Sequence, residues 1–174
     1  FDSFRTAIVK LAPYLQDSVH ELRAWDDVKL LTVRVNRLDE WFRPGLLCIG
    51  DAAHAMSPVG GVGINLAIQD AVASANLLCK PLQEKQVTID DLRRIQTRRE
   101  LPTRVTQKLQ LAVQDRIIAP VLTDTQPLEP PLAVRLLARF PFFRRIPARV
   151  IGLGIRPEHV SAELLRAFGV ARQA

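Results

Sequence analysis

The chain has 174 residues, of which 48% are hydrophobic, so it can bury one substantial core. Its formal net charge is +6, but only 6% of its residues are aromatic and no helix-turn-helix or zinc signature accompanies that charge, which argues against nucleic acid as a partner. Cys48 and Cys79 lack metal-ligand spacing and are expected to be small core residues, as in a cytoplasmic protein without disulfides or metal sites. No stretch is expected to be long enough to span a membrane.

Residues 1–43 predict a helix followed by a strand. Apolar residues recur at helical spacing at Phe4, Ile8, Leu11 and Leu15. Pro13 is expected to kink or end this helix. Val28 to Asn36 predicts a strand, because apolar and polar residues alternate from Leu31 onward. Residues 39–45 then predict a turn that ends in Pro-Gly.

A glycine-rich turn lies between a predicted buried strand, residues 46–49, and a predicted buried helix from Ile64 to Lys80 that ends at Pro81. The glycines at 60, 61 and 63 let the backbone adopt positive φ and pass close to a ligand. They open a helix whose free N–H groups and dipole can hold negative charge. Asp51 follows the strand, where its carboxylate can accept hydrogen bonds from sugar-like hydroxyls. The pattern predicts a cofactor site.

Two further segments predict helices. Thr88 is expected to cap a helix that continues to about Ile118, with Pro102 as a kink or break. The basic residues of this helix are expected on a solvated or ion-paired surface, and an anionic partner is the alternative. Asp70 and Asn76, on the preceding helix, are expected at the surface or in hydrogen bonds between helices.

Residues 119–174 predict a C-terminal region of short helices. A proline-rich loop is expected from Asp124 to Pro131, and breaks are expected at Pro141 and Pro147. Apolar residues are mixed here with arginines, which favours a cap packed against the rest of the protein, because arginine stems can cover apolar surface. A membrane surface is the alternative partner of this region.

The string GDAAHAMSPVGGVGIN, residues 50–65, resembles the second FAD-binding motif of the flavoprotein aromatic hydroxylases. These are the para-hydroxybenzoate hydroxylase-like class A monooxygenases, and the resemblance runs from about Val28 to about Gln107. It implies an α/β fold class, here a helix-rich α+β fragment. That fragment would be the C-terminal part of a two-domain FAD-binding fold without the N-terminal βαβ unit, because no GxGxxG in a strand–helix frame is found. Residues 1–43 would then end the substrate domain, residues 44–118 would belong to the FAD-binding domain, and residues 119–174 would form the cap.

The resemblance also implies the residues that bind FAD. Asp51 would contact the ribityl chain, and Pro58 would lie beside the ring. The backbone of Gly60, Gly61, Val62 and Gly63 would approach the flavin closely, and the N–H groups of Ile64 and Asn65 would face its pyrimidine end. No catalytic side chain is implied, and His54 is expected to serve the hydrogen bonding of the turn. Many relatives have Pro-Pro where this chain has Ser57-Pro58.

The function implied by the resemblance is hydroxylation of an aromatic or similar electron-rich small molecule, with FAD as cofactor, NAD(P)H as reductant and O₂ as co-substrate. The chain alone is expected to be inactive. Two alternatives stay open: another flavoprotein with the same motif, such as a halogenase or a reductase, and a free-standing binding or regulatory module with half a flavin site.

Overall fold

The computed structural model describes residues 1–30, 32–119 and 132–169. Its contacts separate two compact units, Phe1–Thr32 and Val33–Ala174. Within the described residues the protein is rich in helix and contains little sheet, which confirms the helix-rich character expected from the sequence.

The first unit contains helix α1, Asp2–Leu11, and three short 3-10 turns, Pro13–Leu15, Val19–Glu21 and Trp25–Asp27. The predicted helix is confirmed, and it ends where Ala12, before Pro13, adopts a non-helical φ of −137°. The rings of Phe1, Phe4 and Trp25 pack together, with Trp25 5.0 and 5.2 Å from the other two ring centres.

The strand predicted from Val28 to Asn36 is wrong for the residues of this range that the structure describes, since none of them is in a strand. Two backbone hydrogen bonds hold the end of this segment: Asn36 N donates to Ala55 O at 3.2 Å, and Leu38 N donates to Ala53 O at 2.8 Å. The partner segment belongs to the turn after Gly50, so the pairing is too short to form a regular ladder.

A two-stranded antiparallel ribbon follows, formed by β1, Phe42–Arg43, and β2, Leu46–Leu47. Pro44 and Gly45 make the predicted turn, with Gly45 at a φ of +75°. The strand predicted at residues 46–49 therefore has only its first half, because the chain turns into a 3-10 helix at Gly50–Ala52.

Helix α2, Gly63–Gln83, includes Pro81 instead of ending before it. A proline in the last turn removes one backbone hydrogen bond, and the following turn still closes because Glu84 N donates to Lys80 O at 3.0 Å. The expectation that no stretch could span a membrane is also corrected, since Val59–Gln83 is long and apolar enough by length and composition. Asp70, at its middle, forms an ion pair with another helix, as expected of a packed helix within a protein body.

Helix α3, Ile89–Val113, continues through Pro102 without a break and passes into a π-helical turn at Gln114–Ile118. The predicted cap is confirmed: Thr88 Oγ1 accepts a hydrogen bond from Asp91 N at 3.3 Å. The helix packs against α2 and the ribbon around a small apolar core formed by Phe42, Leu78, Leu92 and Ile95.

The C-terminal region contains α4, Leu132–Arg139, a 3-10 turn at Pro141–Arg144, α5, Arg145–Leu153, and α6, Ala162–Ala167. The break at Pro141 is confirmed. The break at Pro147 is wrong, because this proline lies in the first turn of α5, where its missing N–H has no helical partner to lose. The loop predicted from Asp124 to Pro131 lies outside the described residues.

Candidate functional site

The glycine-rich turn joins the ribbon to α2 through a second 3-10 turn, Val59–Gly61. Gly60 and Gly61 have φ values of +79° and +63°, in the left-handed region that favours glycine. Gly63 differs from them, because its φ is negative and a Cβ there would lie at an ordinary 3.7 Å from Met56 Cβ. Among the described residues, neither the backbone conformation nor crowding requires glycine at position 63. Close approach of a ligand to the backbone would explain why this position is a glycine.

The N-terminus of α2 has no side-chain cap. The side chain of Asn65, in the first turn, instead reaches toward the carbonyls of Ile151 and Gly152, with Nδ2 3.5 and 3.4 Å from their oxygens. The first-turn N–H groups of Gly63, Ile64 and Asn65 therefore have no side-chain acceptor, and the side chain of Ile64 is 69% exposed beside them. This donor set suits a carbonyl or an anionic group of a ligand.

Asp51 lies in the 3-10 turn Gly50–Ala52, which packs against α2. Its side chain is exposed, and no hydrogen bond or ion pair within the described residues occupies its carboxylate. Pro58 is also exposed, immediately before the Val59–Gly61 turn. The structure thus joins Pro58, the Val59–Gly61 turn and the first turn of α2 in one continuous segment, and it leaves the Asp51 carboxylate exposed.

A buried ionic cluster supports this turn from behind. Asp70 of α2 is fully buried, and its Oδ1 accepts a hydrogen bond from Arg99 Nε of α3 at 2.8 Å. Its Oδ2 accepts from the backbone N–H of Gly50 at 3.0 Å and lies 2.6 Å from His54 Nε2. One carboxylate therefore holds both ends of the Gly50–His54 segment and ties that segment to two helices.

Arg99, like the other basic residues of this helix, was expected on a solvated or ion-paired surface. The ion pairing is confirmed, but the surface position is wrong, because the Arg99 side chain is 0% exposed. Its remaining donors reach Gln69 Oε1 and the carbonyl of Arg156, each at 3.1 Å. The expectation of interhelical hydrogen bonding for Asp70 is confirmed. The Asp70–Arg99 pair could have been predicted from the position of Asp70 within the apolar run of α2, since a buried carboxylate requires a charged partner.

His54 serves the hydrogen bonding of the turn, as expected. Its Nδ1 is buried and has no partner among the described residues, while Nε2 faces the Asp70 carboxylate. We assign the tautomer with the proton on Nε2, because that proton then has an acceptor.

Burial raises the pKa of the Asp70 carboxyl, but hydrogen bonds from His54, Arg99 and Gly50 together lower it by more, so this pKa lies below its ordinary value of 3.8. A carboxyl with a lowered pKa in the folded state stabilises the protein at pH values above its unfolded pKa. That stabilisation is lost as the pH falls below 3.8 and through the folded pKa.

We therefore expect the midpoint of urea unfolding to fall as the pH is lowered below 3.8. The Asp70→Asn variant, which cannot titrate at this position, should show a shallower fall. Unfolding curves followed by circular dichroism at several pH values measure the difference. Parallel pH dependences in the two proteins would contradict the role given to Asp70.

A second ion pair continues the cluster toward the C-terminal region. Arg98 binds Glu158 through two hydrogen bonds, from Nε at 2.7 Å and Nη2 at 2.8 Å. The bond to Glu158 raises the pKa of Arg98. Because the Glu158 side chain is nearly fully buried, the pair holds the segment before α6 against α3.

Glutamines on α3 bind the backbone of the turn, and sequence reasoning missed them. Gln107 Nε2 donates to Asn36 O at 2.8 Å and to Ala55 O at 3.1 Å. Gln110 Nε2 donates to Ser57 O at 2.7 Å and to Val59 O at 2.9 Å. The three-residue spacing of these glutamines on one helix face was the available signal. Their amides hold the carbonyls on both sides of Pro58 in place.

A cavity of about 110 Å³ adjoins the turn. It lies between the turn, the C-terminal half of α3 and α5. Its lining is almost entirely apolar and includes Val59, Val62, Leu109, Val113, Val150 and Ile151. Gln110 and Thr106 supply the polar side chains of the lining, and no charged side chain among the described residues contributes to it. A cavity of this character accommodates an apolar group of about the size of one aromatic ring.

Gly50 is a position where both space and conformation require glycine. Its φ is +57°, and a Cβ would lie 2.9 Å from Ala67 Cβ. We expect Gly50→Ala to lower the free energy of unfolding by about 1–2 kcal/mol through backbone strain and by about 1–3 kcal/mol more through crowding.

Gly45→Ala is the matched control for this prediction, because Gly45 has a φ of +75° and no atom within 4 Å of the added Cβ. Gly45→Ala should lower the free energy of unfolding only by the part that comes from backbone strain. Urea unfolding of both variants measures the two losses, and equal losses would contradict the close packing of Gly50 against α2.

Comparison with known proteins gives a consistent assignment. Residues 3–113 match the family described as FAD binding domain, a wider range than the motif itself. The chain is 34% identical over 151 residues to 6-methylpretetramide 4-monooxygenase of Streptomyces rimosus, covering 86% of this chain and 36% of that protein. It is 33% identical over 108 residues to kynurenine 3-monooxygenase of Stenotrophomonas maltophilia, covering 59% of this chain and 23% of that protein.

A third relative is the FAD-dependent monooxygenase penM of Penicillium crustosum, 34% identical over 64 residues, which cover 35% of this chain and 14% of that protein. The chain thus spans about a third of the length of the Streptomyces relative and less of the others. Together with the turn and the uncapped helix N-terminus, the family match shows that this chain belongs to the class A FAD-dependent hydroxylase family of flavoproteins.

Proposed function

We propose that this chain forms the flavin-ring side of a cytoplasmic FAD-dependent monooxygenase that hydroxylates an aromatic or similar electron-rich small molecule, using NAD(P)H and O₂. The observation that carries the proposal is the uncapped N-terminus of α2, preceded by two glycines in left-handed conformation. The relatives named as monooxygenases support the same reaction class.

The residues present fit FAD. Asp51 has an exposed carboxylate that can accept hydrogen bonds from ribityl hydroxyls. The N–H groups of Ile64 and Asn65, without a side-chain cap, can donate to the pyrimidine end of the ring. The backbone from Gly60 through Val62 to Gly63 carries little bulk, and Pro58 would lie beside the ring.

FAD, when bound, supplies the redox chemistry. The chain's own contribution is to position the ring and to shape its surroundings. The dipole of α2 and its free N–H groups would stabilise negative charge at the adjacent end of the ring. Gln107, Gln110 and Asp70 would keep the turn rigid, so that the N–H groups stay aligned. We assign no catalytic side chain within this chain.

The cavity beside the turn is the proposed position of the substrate's apolar part. Its apolar lining disfavours water, and its volume of about 110 Å³ suits one ring. In the proposed organisation, residues 1–43 end the substrate domain, residues 44–118 belong to the FAD-binding domain and residues 119–174 form a cap that supplies Val150 and Ile151 to the cavity.

The test uses the protein expressed at its full natural length and purified with FAD. We expect aromatic compounds to stimulate oxidation of NADH or NADPH and the product to incorporate oxygen from isotopically labelled O₂. Turnover that yields a halogenated or a reduced product, without label from O₂, would contradict the monooxygenase assignment and favour another flavoprotein reaction.

A variant tests the position of the substrate. Val113→Phe would fill part of the cavity, and we expect it to raise KM for the aromatic substrate by about 10-fold or more while the bound FAD content stays unchanged. Leu111→Phe is the matched control, because Leu111 is on the same helix, 39% exposed and outside the cavity lining. Equal KM values in both variants would place the substrate elsewhere.

A further inference from the structure

The helices α4 and α5 and the 3-10 turn between them expose large apolar side chains to solvent. Leu132 is 80% exposed, Phe142 72% and Ile146 61%. Leu136, Phe140 and Phe143 are exposed by about half. We call these six side chains, together with the arginines described next, the arginine–aromatic surface. Exposed apolar side chains that are adjacent along the chain mark an interaction site more often than isolated ones do.

Five arginines accompany these side chains: Arg135, Arg139, Arg144, Arg145 and Arg149. All five are exposed, and none forms an ion pair within the described residues. The sequence contains no aspartate or glutamate between Glu129 and Glu158, so nothing in this segment neutralises them. The surface therefore combines apolar area with positive charge that no carboxylate of the described residues pairs with.

The helical positions place both kinds of residue on one face of each helix. In α4, Leu132, Arg135, Leu136 and Arg139 lie at i, i+3, i+4 and i+7, and all four are exposed. In α5, Ile146, Arg149 and Leu153 repeat the i, i+3, i+7 pattern, and Leu153 is 47% exposed. Arg144 also holds the turn against α4, because its Nε donates to Leu137 O at 2.9 Å.

We propose that the arginine–aromatic surface binds the surface of an anionic lipid bilayer. Aromatic and aliphatic side chains would enter the boundary between headgroups and acyl chains. The arginines other than Arg144, whose guanidinium donates to the carbonyls of Leu137 and Ala138, would extend to the lipid phosphates. The charge complementarity carries the choice of partner, because a surface with arginines and no carboxylates matches a negatively charged layer.

A second copy of the chain matches this surface less well. A symmetric dimer interface places the same patch of each subunit against the other, so five arginines would meet five arginines without a carboxylate between them. A bilayer with negative lipids removes that repulsion and also covers the apolar side chains.

The proposal places the bilayer next to the candidate site. Val150 and Ile151 on α5 line the cavity, and Gln69 Nε2 of α2 donates to Leu153 O at 3.0 Å. Helix α5, which would rest on the bilayer, is thus hydrogen-bonded directly to α2, whose N-terminus follows the glycine-rich turn.

The test is co-sedimentation of the protein, at its full natural length and with its FAD, with vesicles. We expect binding to phosphatidylcholine vesicles that contain about a third phosphatidylglycerol, and at least about tenfold weaker binding to phosphatidylcholine alone. Added salt should weaken binding to the anionic vesicles. Absence of binding, or equal binding to both vesicle types, would overturn the proposal.

Variants identify the surface. Phe142→Glu should reduce binding to anionic vesicles at least about tenfold, because it replaces an exposed apolar anchor with a negative charge. Phe168→Glu is the matched control, since Phe168 is 67% exposed and lies at the end of α6, outside the surface. Equal losses in the two variants would overturn the assignment to this surface.

A second variant distinguishes a loss of vesicle binding from misfolding. Replacing Arg135 and Arg139 together by glutamine removes charge from exposed positions and should weaken binding to anionic vesicles without changing the thermal unfolding midpoint. A concentration-dependent dimer that Phe142→Glu dissociates, without vesicle binding by the parent protein, would show that the surface joins two copies and would overturn the lipid assignment.

Discussion

Replacing Asp70 by alanine is expected to lower the free energy of unfolding by about 3–5 kcal/mol. The change removes the hydrogen-bonded carboxylate of the fully buried Arg99 guanidinium and the acceptor of the Gly50 N–H. Arg99 then keeps only the more distant Glu158 carboxylate, whose Oε1 lies 3.6 Å from Arg99 Nη1. A buried charge that loses its hydrogen-bonded partner costs more than the pair contributes, since its desolvation is no longer fully offset. Urea unfolding at neutral pH measures the loss.

Two further variants separate charge from packing at this position. Asp70→Asn keeps the shape and an acceptor oxygen but removes the charge, and it should lose less than Asp70→Ala. The double variant Asp70→Leu with Arg99→Leu removes both buried charges, and it should recover much of the loss seen for Asp70→Ala. A loss below about 1 kcal/mol for Asp70→Ala, the size typical of exposed ion pairs, would contradict the buried cluster.

Local signals predicted the elements that local interactions stabilise. Helix α2 follows from a long apolar run, and the start of α3 follows from Thr88 and Asp91, which exchange hydrogen bonds over three residues. The turn between Pro58 and Gly63 follows from a proline, which fixes its own φ, and from glycines, which adopt the positive φ values that few other residue types accept. The family resemblance then indicated what this turn could bind.

The wrong predictions concern residues whose environment is set by distant parts of the chain. Residues 31–36 alternate as a strand does, but the segment beside their end is a turn, which offers two hydrogen bonds instead of a ladder. Arg99 belongs to a basic stretch of α3, and its burial depends on Asp70, 29 residues earlier in the sequence. Gln107 and Gln110 have no local partner either, since both bind backbone carbonyls more than 50 residues away.

Two of the helix ends predicted at prolines were also wrong, because the effect of a proline depends on where it lies within the helix. Proline signals the end of a helix because it lacks an N–H, and this rule predicted ends at Pro81 and Pro147. The cost of the missing N–H depends on the position within the helix, and both prolines lie within a turn of a helix end. Pro147 precedes most of α5, and Pro81 follows most of α2, so each helix keeps nearly all of its hydrogen bonds.

Asp51→Ala is expected to weaken FAD binding by roughly 10- to 150-fold, because a hydrogen bond to a charged group contributes about 1.5–3 kcal/mol. The thermal unfolding midpoint without FAD should not change, since Asp51 is exposed and has no partner within the described residues. This separates Asp51 from Asp70, whose loss should destabilise the protein whether or not FAD is bound. Titration of the apoprotein, at its full natural length, with FAD measures the dissociation constant.

The control variant for Asp51 is Asp90→Ala, which removes another exposed carboxylate, in the first turn of α3 at the opposite end from the cavity residues. It should leave FAD affinity unchanged. Asp51→Asn should fall between wild type and alanine, because the amide oxygen still accepts a hydrogen bond but carries no charge. Unchanged affinity in Asp51→Ala would remove Asp51 from the flavin site. The N–H groups at the start of α2 would then be the ligands of this chain to be tested next, since their role does not depend on any side chain.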